Sequence, residues 1–176
     1  MTNEQDKTLA ALKIALQMEV DGKECYLGES RQSGNEVGRR LLQSLAEEED
    51  IHQQRLLEIY EAIRNKKAWP VVALQPDRGS QLRDVFFTTC ELTGMNLSAG
   101  TADFGIIETA VKREKESYDF YNRQSAQATY DAEREFYRAV AAEEREHELI
   151  LLDYHEYLTN PAGWFVKKEH HSLDGG

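Results

Sequence analysis

The sequence predicts an all-α protein, a four-helix bundle of two duplicated antiparallel helical hairpins joined by a long crossover. Three observations predict it. Four long segments repeat their apolar residues with helical spacing, and the prolines at 70, 76 and 161 all lie outside those segments. The two halves of the chain also repeat each other at a fixed offset. Paired hairpins with one long connection form a known bundle topology.

The first predicted hairpin joins residues 2–31 to residues 35–65. In the first segment Leu12 and Leu16 mark an apolar stripe, and the second segment has an apolar seam spaced by three and four. The intervening Ser-Gly-Asn sequence at residues 33–35 is a short turn. Helices joined by so short a turn are expected to be antiparallel neighbours.

A long connection follows, over about residues 66–100. It contains Pro70 and Pro76 and several glycines, and it is too long for a tight turn. We expect it to cross over the bundle and to include a short helix near residues 82–92.

The second predicted hairpin joins residues 101–128 to residues 131–158, and Asn160-Pro161 ends its last helix. We therefore expect one bundle domain over residues 1–160 and a C-terminal tail over residues 161–176. Trp164 and Phe165 are expected to dock on the bundle, and the end of the tail to be loose.

Composition excludes several classes of protein. The 176 residues include 32 Asp and Glu against 21 Lys and Arg, whereas nucleic-acid binders present a basic patch. Cys25 and Cys90 are the only cysteines, too few for a disulfide framework. We expect inert buried thiols in a reduced, cytoplasmic protein, with no secretory signal and no membrane-spanning segment.

The repeat is the strongest signal in the sequence. At one offset of 95 positions the first hairpin matches the second, and the matched pairs are Glu19 with Glu114, Tyr26 with Tyr121, Glu49 with Glu144 and His52 with His147. The sequence therefore predicts a duplicated hairpin with pseudo-two-fold symmetry.

A polar layer interrupts the apolar seams. Glu49 and His52 are three residues apart, so they share one helix face, and Leu45 and Leu56 flank them in the seam. Glu144 and His147 repeat this arrangement in the last helix. A bundle prefers apolar residues at such positions, so the layer calls for a special explanation.

Metal ions provide that explanation. With Glu19 and Glu114 at the same level, the layer holds four carboxylates, which would repel one another in a buried site. Two divalent cations balance four carboxylate charges, and the two imidazoles act as neutral ligands. We predict two iron ions, with manganese or zinc as substitutes. The predicted ligands are Glu19, Glu49, His52, Glu114, Glu144 and His147.

Other acidic and aromatic residues have simpler interpretations. Five further glutamates are expected on solvated faces or in surface ion pairs: Glu47, Glu48, Glu143, Glu146 and Glu148. Tyr26 and Tyr121 either fill the core or act beside the ligands in redox chemistry. Gly22 is unfavourable in a helix and is expected to leave room for the site or for a close helix contact. His155, His170 and His171 lie away from the layer and are not predicted ligands.

At these residues the sequence resembles the rubrerythrin family of the ferritin-like di-iron superfamily. The motifs that carry the resemblance are Glu19 with Tyr26, Glu49-Asp50-Ile51-His52, Glu114 with Tyr121, and Glu144-Arg145-Glu146-His147. The resemblance implies a carboxylate-bridged di-iron site, a homodimer of bundles, and oxidation of ferrous iron by hydrogen peroxide or oxygen.

Two departures from the family pattern limit what it implies. Rubrerythrins proper carry a four-cysteine rubredoxin-like module, which this sequence lacks, so the expected electron donor is an external, rubredoxin-like protein. They also have a glutamate where this chain has Ser117. The leading hypothesis is a di-iron oxidoreductase. The alternatives are a ferroxidase that serves iron storage and a non-catalytic, metal-stabilised interaction domain.

Overall fold

The computed structural model describes residues 2–66, 68–70, 78–94 and 101–173. Within these residues the protein contains no strand and six helices: α1 (Thr2–Gln32), α2 (Glu36–Arg64), α3 (Arg78–Thr93), α4 (Thr101–Gln127), α5 (Asp131–Thr159) and α6 (Pro161–Leu173). The four long helices agree with the four predicted segments to within a residue or so at each end. The predicted helical bundle is confirmed.

The long helices pack as two hairpins. Helix α1 lies against α2 and α4 lies against α5, and fewer contacts join one hairpin to the other. The turns are short, at residues 33–35 and 128–130. This is the antiparallel pairing that the turn lengths predicted.

Polar side chains fix the first turn to the second hairpin. The Asn35 Oδ1 atom caps α2 by accepting a hydrogen bond from the Gly38 backbone N–H at 2.9 Å. The Asn35 side-chain amide donates to the Tyr154 hydroxyl at 2.8 Å. A Cβ atom at position 38 would lie 2.3 Å from that hydroxyl, so this contact requires glycine. The capping group of α2 therefore also holds α5 in place.

The apolar interior forms two clusters. The first apolar cluster contains Leu45 and Leu151, and the second contains Leu56 and Val140. Each pair brings one residue from α2 together with one from α5. The clusters therefore lie on opposite sides of the level at which the sequence predicts its polar layer.

The crossover contains the expected helix, which is longer than predicted. Helix α3 covers Arg78–Thr93 and packs on α2 and α5. Its buried residues Leu82, Phe86 and Cys90 are spaced by four, so they form one inward stripe. The prediction that Cys90 is buried is confirmed, but the same prediction for Cys25 is wrong because that side chain is exposed on α1.

Within the expected C-terminal tail, residues 161–173 form helix α6, an element that the sequence analysis did not predict. Asn160 ends α5, and its Oδ1 atom then accepts a hydrogen bond from the Gly163 N–H at 3.0 Å. Proline is favourable in the first turn of a helix, so Asn160-Pro161 also begins the next one.

Docking of Trp164 is confirmed. Its side chain is buried, and its ring centroid lies 5.1 Å from that of Tyr157, 5.7 Å from Phe86 and 5.5 Å from Phe87. Helix α6 thus packs over α3 and the end of α5. The side chains of His170 and His171, and the whole of residues 174–176, lie outside the described residues. None of the described helices has the length and apolar character needed to span a bilayer.

Candidate metal centre

All four long helices contribute side chains to one buried polar layer. The contributors are Glu19 from α1, Glu49 and His52 from α2, Glu114 from α4, and Glu144 and His147 from α5. None of these residues exposes more than 4% of its surface. The structure thus brings together all six residues that the sequence singled out, between the two apolar clusters.

The six residues divide into two overlapping sets of four. One set is Glu19, Glu49, His52 and Glu144, and the other is Glu49, Glu114, Glu144 and His147. Within each set the ligand atoms lie within 4.8 Å of one another. Glu49 and Glu144 belong to both sets.

The pKa values of the four glutamates in the layer are shifted in different directions. Burial raises the pKa of Glu49 and Glu144 well above the ordinary value, and the negative charges of neighbouring glutamates raise it further. Burial acts in the same direction on Glu19 and Glu114, but hydrogen bonds with neighbouring side chains outweigh it and lower the pKa of both. Glu49 and Glu144 are therefore the carboxyl groups of the layer whose ionisation is opposed most strongly.

His52 presents its two ring nitrogens to different partners. Its Nδ1 atom lies 3.0 Å from an oxygen of Glu144 and 3.3 Å from an oxygen of Glu19. Its Nε2 atom lies 2.6 Å from an oxygen of Glu143. Burial would lower the pKa of His52, but the hydrogen bonds to Glu143, Glu144 and Glu19 outweigh it and raise the pKa well above the usual value. Nδ1 is therefore the atom that faces the layer.

Two buried atoms show that the layer suits a cation. Among the described residues, Glu114 Oε2 and His147 Nδ1 have no hydrogen-bond partner, and they lie 3.7 Å apart. Buried polar atoms without partners are rare and need an explanation. A cation between a carboxylate oxygen and a neutral imidazole nitrogen would satisfy both. The residues present therefore fit a metal ion.

Two tyrosine hydroxyls bind the carboxylates of Glu19 and Glu114. The Tyr26 hydroxyl on α1 donates to Glu114 on α4, and the Tyr121 hydroxyl on α4 donates to Glu19 on α1. Burial and the neighbouring carboxylates raise the pKa of both hydroxyls well above the ordinary value, so both remain protonated donors. Tyr26 and Tyr121 therefore fill the core and also donate hydrogen bonds to two of the predicted ligands.

Gly22 lies against the layer. A Cβ atom at this position would lie 3.4 Å from the carboxyl carbon of Glu49. This is an ordinary van der Waals distance, so the expectation that glycine leaves room for the site stays a prediction. At the matching place in α4 the chain has Ser117, the position at which it departs from the rubrerythrin pattern.

The interpretation of the five remaining glutamates was partly wrong. Glu47 is exposed, and Glu146 pairs at the surface with Arg83. Glu48 and Glu148, however, are buried, and Glu143 reaches His52. Glu143 lies beside the seam of α5, and its carboxylate contacts the other hairpin. Helical periodicity describes contacts within one helix, so it does not predict this contact. The 95-residue offset repeats Glu143 as Glu48, which marks the position but does not identify His52 as its partner.

His155 lies apart from the layer, as predicted, with its ring 5.6 Å from that of Phe104. Among the described residues, the only groups of His, Cys, Asp and Glu spaced to hold a metal ion are the two sets of the polar layer.

The fold and the layer together define a class: a helical bundle whose buried glutamates and histidines suggest a di-iron carboxylate protein. The family model for rubrerythrin matches residues 10–155. The chain therefore belongs to the rubrerythrin family, and its four long helices form a ferritin-like bundle. No curated protein and no solved structure matches the chain.

Proposed function

We propose that this protein is a di-iron oxidoreductase of the rubrerythrin type, which oxidises bound ferrous iron with hydrogen peroxide or oxygen. The observation that carries the proposal is the pair of overlapping ligand sets that share Glu49 and Glu144. Shared carboxylates would hold two ions near each other, and a metal pair would supply the two electrons of the proposed reaction.

The donor atoms favour iron as the ion. Each set offers three carboxylates and one imidazole and no thiolate. Oxygen donors with imidazole suit iron and manganese, whereas zinc binds the same donors but has no redox chemistry. Two iron ions with the six predicted ligands are therefore the proposed cofactor.

The protein's own part in the reaction is to orient the metal ligands and to shield the layer from solvent. Tyr26 and Tyr121 fix the carboxylates of Glu114 and Glu19, while the two apolar clusters close the layer on both sides. When bound, two ferrous ions would supply the two electrons that reduce one hydrogen peroxide to two waters, with uptake of two protons. The buried surroundings would protect the reaction from competing reactions with solvent.

The remaining parts of the proposal concern partners. An external electron donor such as a rubredoxin-like protein would reduce the iron again, since two cysteines are too few for a four-cysteine electron-transfer site in this chain. We propose a homodimer in the cytoplasm as the working form. Analytical ultracentrifugation of the iron-loaded protein tests the dimer directly.

Metal analysis followed by rapid mixing tests the proposed reaction. The protein, reconstituted anaerobically with ferrous iron, is expected to hold two irons per chain and to be oxidised by hydrogen peroxide faster than by oxygen. Glu49→Gln should abolish stoichiometric loading, while Glu47→Gln, on the exposed face of the same helix, should leave it unchanged. Less than one iron per wild-type chain would overturn the proposal.

The same experiment separates the reductase from a ferroxidase that serves storage. Both activities use the same six residues, so the ligand geometry supports them equally. Oxidation that stops after two irons per chain and prefers peroxide supports the reductase. Repeated turnover of added iron with oxygen, accompanied by a growing ferric mineral, would instead assign the protein to iron storage.

A further inference from the structure

A series of aromatic rings leads from the polar layer towards the surface. Tyr121, whose hydroxyl donates to Glu19, stacks on Tyr137 with the two ring centroids 6.1 Å apart. Tyr137 in turn makes an edge-to-face contact with Trp69, at 6.0 Å between the centroids. Tyr121 and Tyr137 are fully buried, whereas Trp69 is half-buried. The three rings therefore form a continuous series of aromatic contacts between a predicted ligand and the partly exposed indole.

The first hairpin does not repeat this series. The 95-residue offset matches Tyr121 with Tyr26, but it matches Tyr137 with Leu42. The ring of Tyr26 faces the guanidinium group of Arg113, which lies 4.8 Å from the ring centroid. A cation over a ring opposes removal of an electron, because the ring acquires positive charge as the electron leaves. Tyr121 is therefore the better suited of the two tyrosines to pass electrons.

We propose that Trp69, Tyr137 and Tyr121 form an electron path that supplies the metal layer when oxygen reacts there. The inference rests on the proposed function and goes beyond it, because it assigns a route and a surface residue for electrons that the bound iron does not supply.

The electron count of the reaction with oxygen shows why such a path is needed. Reduction of one oxygen molecule to two waters takes four electrons and four protons, whereas two ferrous ions supply two electrons. The missing two electrons would otherwise be taken from whichever side chains lie near the layer. A defined path to the surface protects those side chains.

Each electron that Tyr121 gives to the layer is accompanied by a movement of its hydroxyl proton along the hydrogen bond to Glu19. Trp69 then gives an electron to Tyr121 across the Tyr137 ring, and the hydroxyl proton returns. The indole proton of the half-buried Trp69 passes to water. A soluble thiol restores the indole by giving it one electron and one proton. Two such thiols supply both missing electrons and end as a disulfide.

Tyr137 is a bridge that does not itself lose an electron. Its hydroxyl has no hydrogen-bond partner among the described residues, so no neighbouring group is placed to take its proton. Oxidation that left the proton in place would create a buried charge, which is costly. The path therefore needs the ring of Tyr137 and not its hydroxyl.

Pulse radiolysis of the metal-free protein tests the path without any turnover. Azide radicals take one electron from Trp69 in a Trp164→Phe background, which removes the only other tryptophan of the chain. The absorption of the tryptophan radical should decay into that of a tyrosyl radical, at a rate that does not depend on protein concentration. This transfer runs opposite to the proposed direction and uses the same rings. Decay of the tryptophan signal without any tyrosyl signal would overturn the proposal.

Four further variants identify the rings that take part. Tyr121→Phe and Tyr137→Leu should abolish the tyrosyl signal, whereas Tyr137→Phe and Tyr26→Phe should retain it. Leucine is the residue at the matching position of the first hairpin. A signal that persists in Tyr121→Phe, or that is lost equally in Tyr26→Phe, would overturn the path. Circular dichroism should match wild type, and the variants of Tyr121 and Tyr26 provide the test if Tyr137→Leu does not fold.

The iron-loaded protein shows whether the path serves the layer. After reaction with oxygen in the absence of a reductant, peptide mass spectrometry should find oxidation products at Trp69. In Trp69→Phe, freeze-quench electron paramagnetic resonance should find a radical that remains on Tyr121. Oxidation products spread over the residues near the layer, and equal in both proteins, would overturn the path. Failure of the wild-type chain to bind iron would instead overturn the proposed function, and transfer between Trp69 and Tyr121 in the metal-free protein would still be observed.

Discussion

Individual hydrogen bonds across the hairpins set the geometry of the polar layer. Tyr26 reaches from α1 to Glu114 on α4, and Tyr121 reaches back from α4 to Glu19 on α1. Glu19 and Glu114 are therefore each held by a tyrosine hydroxyl from the opposite hairpin. Such bonds orient a ligand and restrict the alternative positions of its carboxylate.

Removing either hydroxyl should weaken metal binding more than it weakens the fold. Tyr26→Phe and Tyr121→Phe keep the buried ring and delete one charge-assisted hydrogen bond each. We expect each to lower the affinity for ferrous iron about 10-fold or more, the usual scale for such outer partners. Anaerobic equilibrium titration against a competing chelator measures the loss.

Tyr137→Phe is the matched control for these two variants. Tyr137 is fully buried in the second apolar cluster, and its hydroxyl has no hydrogen-bond partner among the described residues. Its removal should leave iron affinity unchanged and should raise the free energy of unfolding by about 1 kcal/mol, because an unpaired buried hydroxyl is costly. Equal loss of affinity in all three variants would contradict the role assigned to Tyr26 and Tyr121.

Two glycines of α1 allow a test of the space beside the layer. A Cβ atom at Gly28 would meet nothing within 4 Å, so Gly28→Ala should stabilise the helix by about 1 kcal/mol. A Cβ atom at Gly22 would contact the Glu49 carboxyl group. At 3.4 Å this is an ordinary van der Waals contact, so Gly22→Ala should also fold and should leave metal affinity unchanged. Urea unfolding and iron titration of both variants measure the two effects, and a lower affinity in Gly22→Ala would show that the site needs the space that glycine leaves.

At the scale of the elements, the two hairpins differ in how their second helices begin. Asn35 caps α2 through its side chain, whereas Tyr130, at the matching position, precedes α5 without a side-chain cap. Asn35→Ala should cost about 1–2 kcal/mol, since it removes the cap and also the bond to Tyr154. Thermal unfolding of the metal-free protein measures the change.

Tyr130→Asn should act in the opposite direction. Tyr130 is exposed and has the extended backbone that a cap requires, with φ −103° and ψ 144°. An asparagine there would accept a hydrogen bond from the first turn of α5 and add about 0.5–1 kcal/mol. A loss of stability in this variant would show that Tyr130 makes a contribution that the cap does not replace.

Helical periodicity predicted the long elements because each buries a continuous stripe of residues. It did not predict α6, because thirteen residues around a buried tryptophan give only a weak helical pattern. Asn160-Pro161 was also interpreted only as the end of α5, whereas it begins α6 as well. Cys25 was misplaced because thiols are usually buried, whereas this one lies on the outer face of α1.

The polar layer was predictable for a different reason. Charged residues in an apolar seam need a compensating partner, and their repetition at a fixed offset made the pattern unambiguous. The contact between Glu143 and His52 was not predictable in this way, because it joins two helices from different hairpins. Contacts within one helix follow from sequence spacing, whereas contacts between helices depend on how the helices pack.

At the scale of the whole molecule, duplication of a helical hairpin accounts for the repeated residues of the polar layer. Later substitutions account for the residues around it that differ between the two hairpins. The six predicted ligands and both tyrosines obey the 95-residue offset. The positions that differ include Arg55 opposite Ile150, Asn35 opposite Tyr130 and Gly22 opposite Ser117. The residue types of the layer are thus repeated in the two halves, whereas residues around it have diverged.

Metal removal should have the largest effect on the molecule as a whole. The metal-free layer holds four buried carboxyl groups, and burial together with mutual repulsion raises the pKa of Glu49 and Glu144. An ion that binds only the folded chain stabilises it by about 4 kcal/mol at 1,000 times its dissociation constant. Wild-type protein should therefore melt at a clearly higher temperature with ferrous iron or manganese than with a chelator.

Glu49→Gln should remove most of the difference in melting temperature between the metal-bound and the metal-free protein. In the chelated protein the neutral amide lowers the repulsion within the layer, so the variant should melt at or above the temperature of metal-free wild type. With metal present it should gain little, because both ligand sets lose a shared carboxylate. Glu47→Gln, on the exposed face of α2, should behave as wild type in both conditions. A Glu49→Gln variant that is less stable than wild type without metal, and as strongly stabilised with it, would show that Glu49 stabilises the layer through hydrogen bonds and is not a metal ligand.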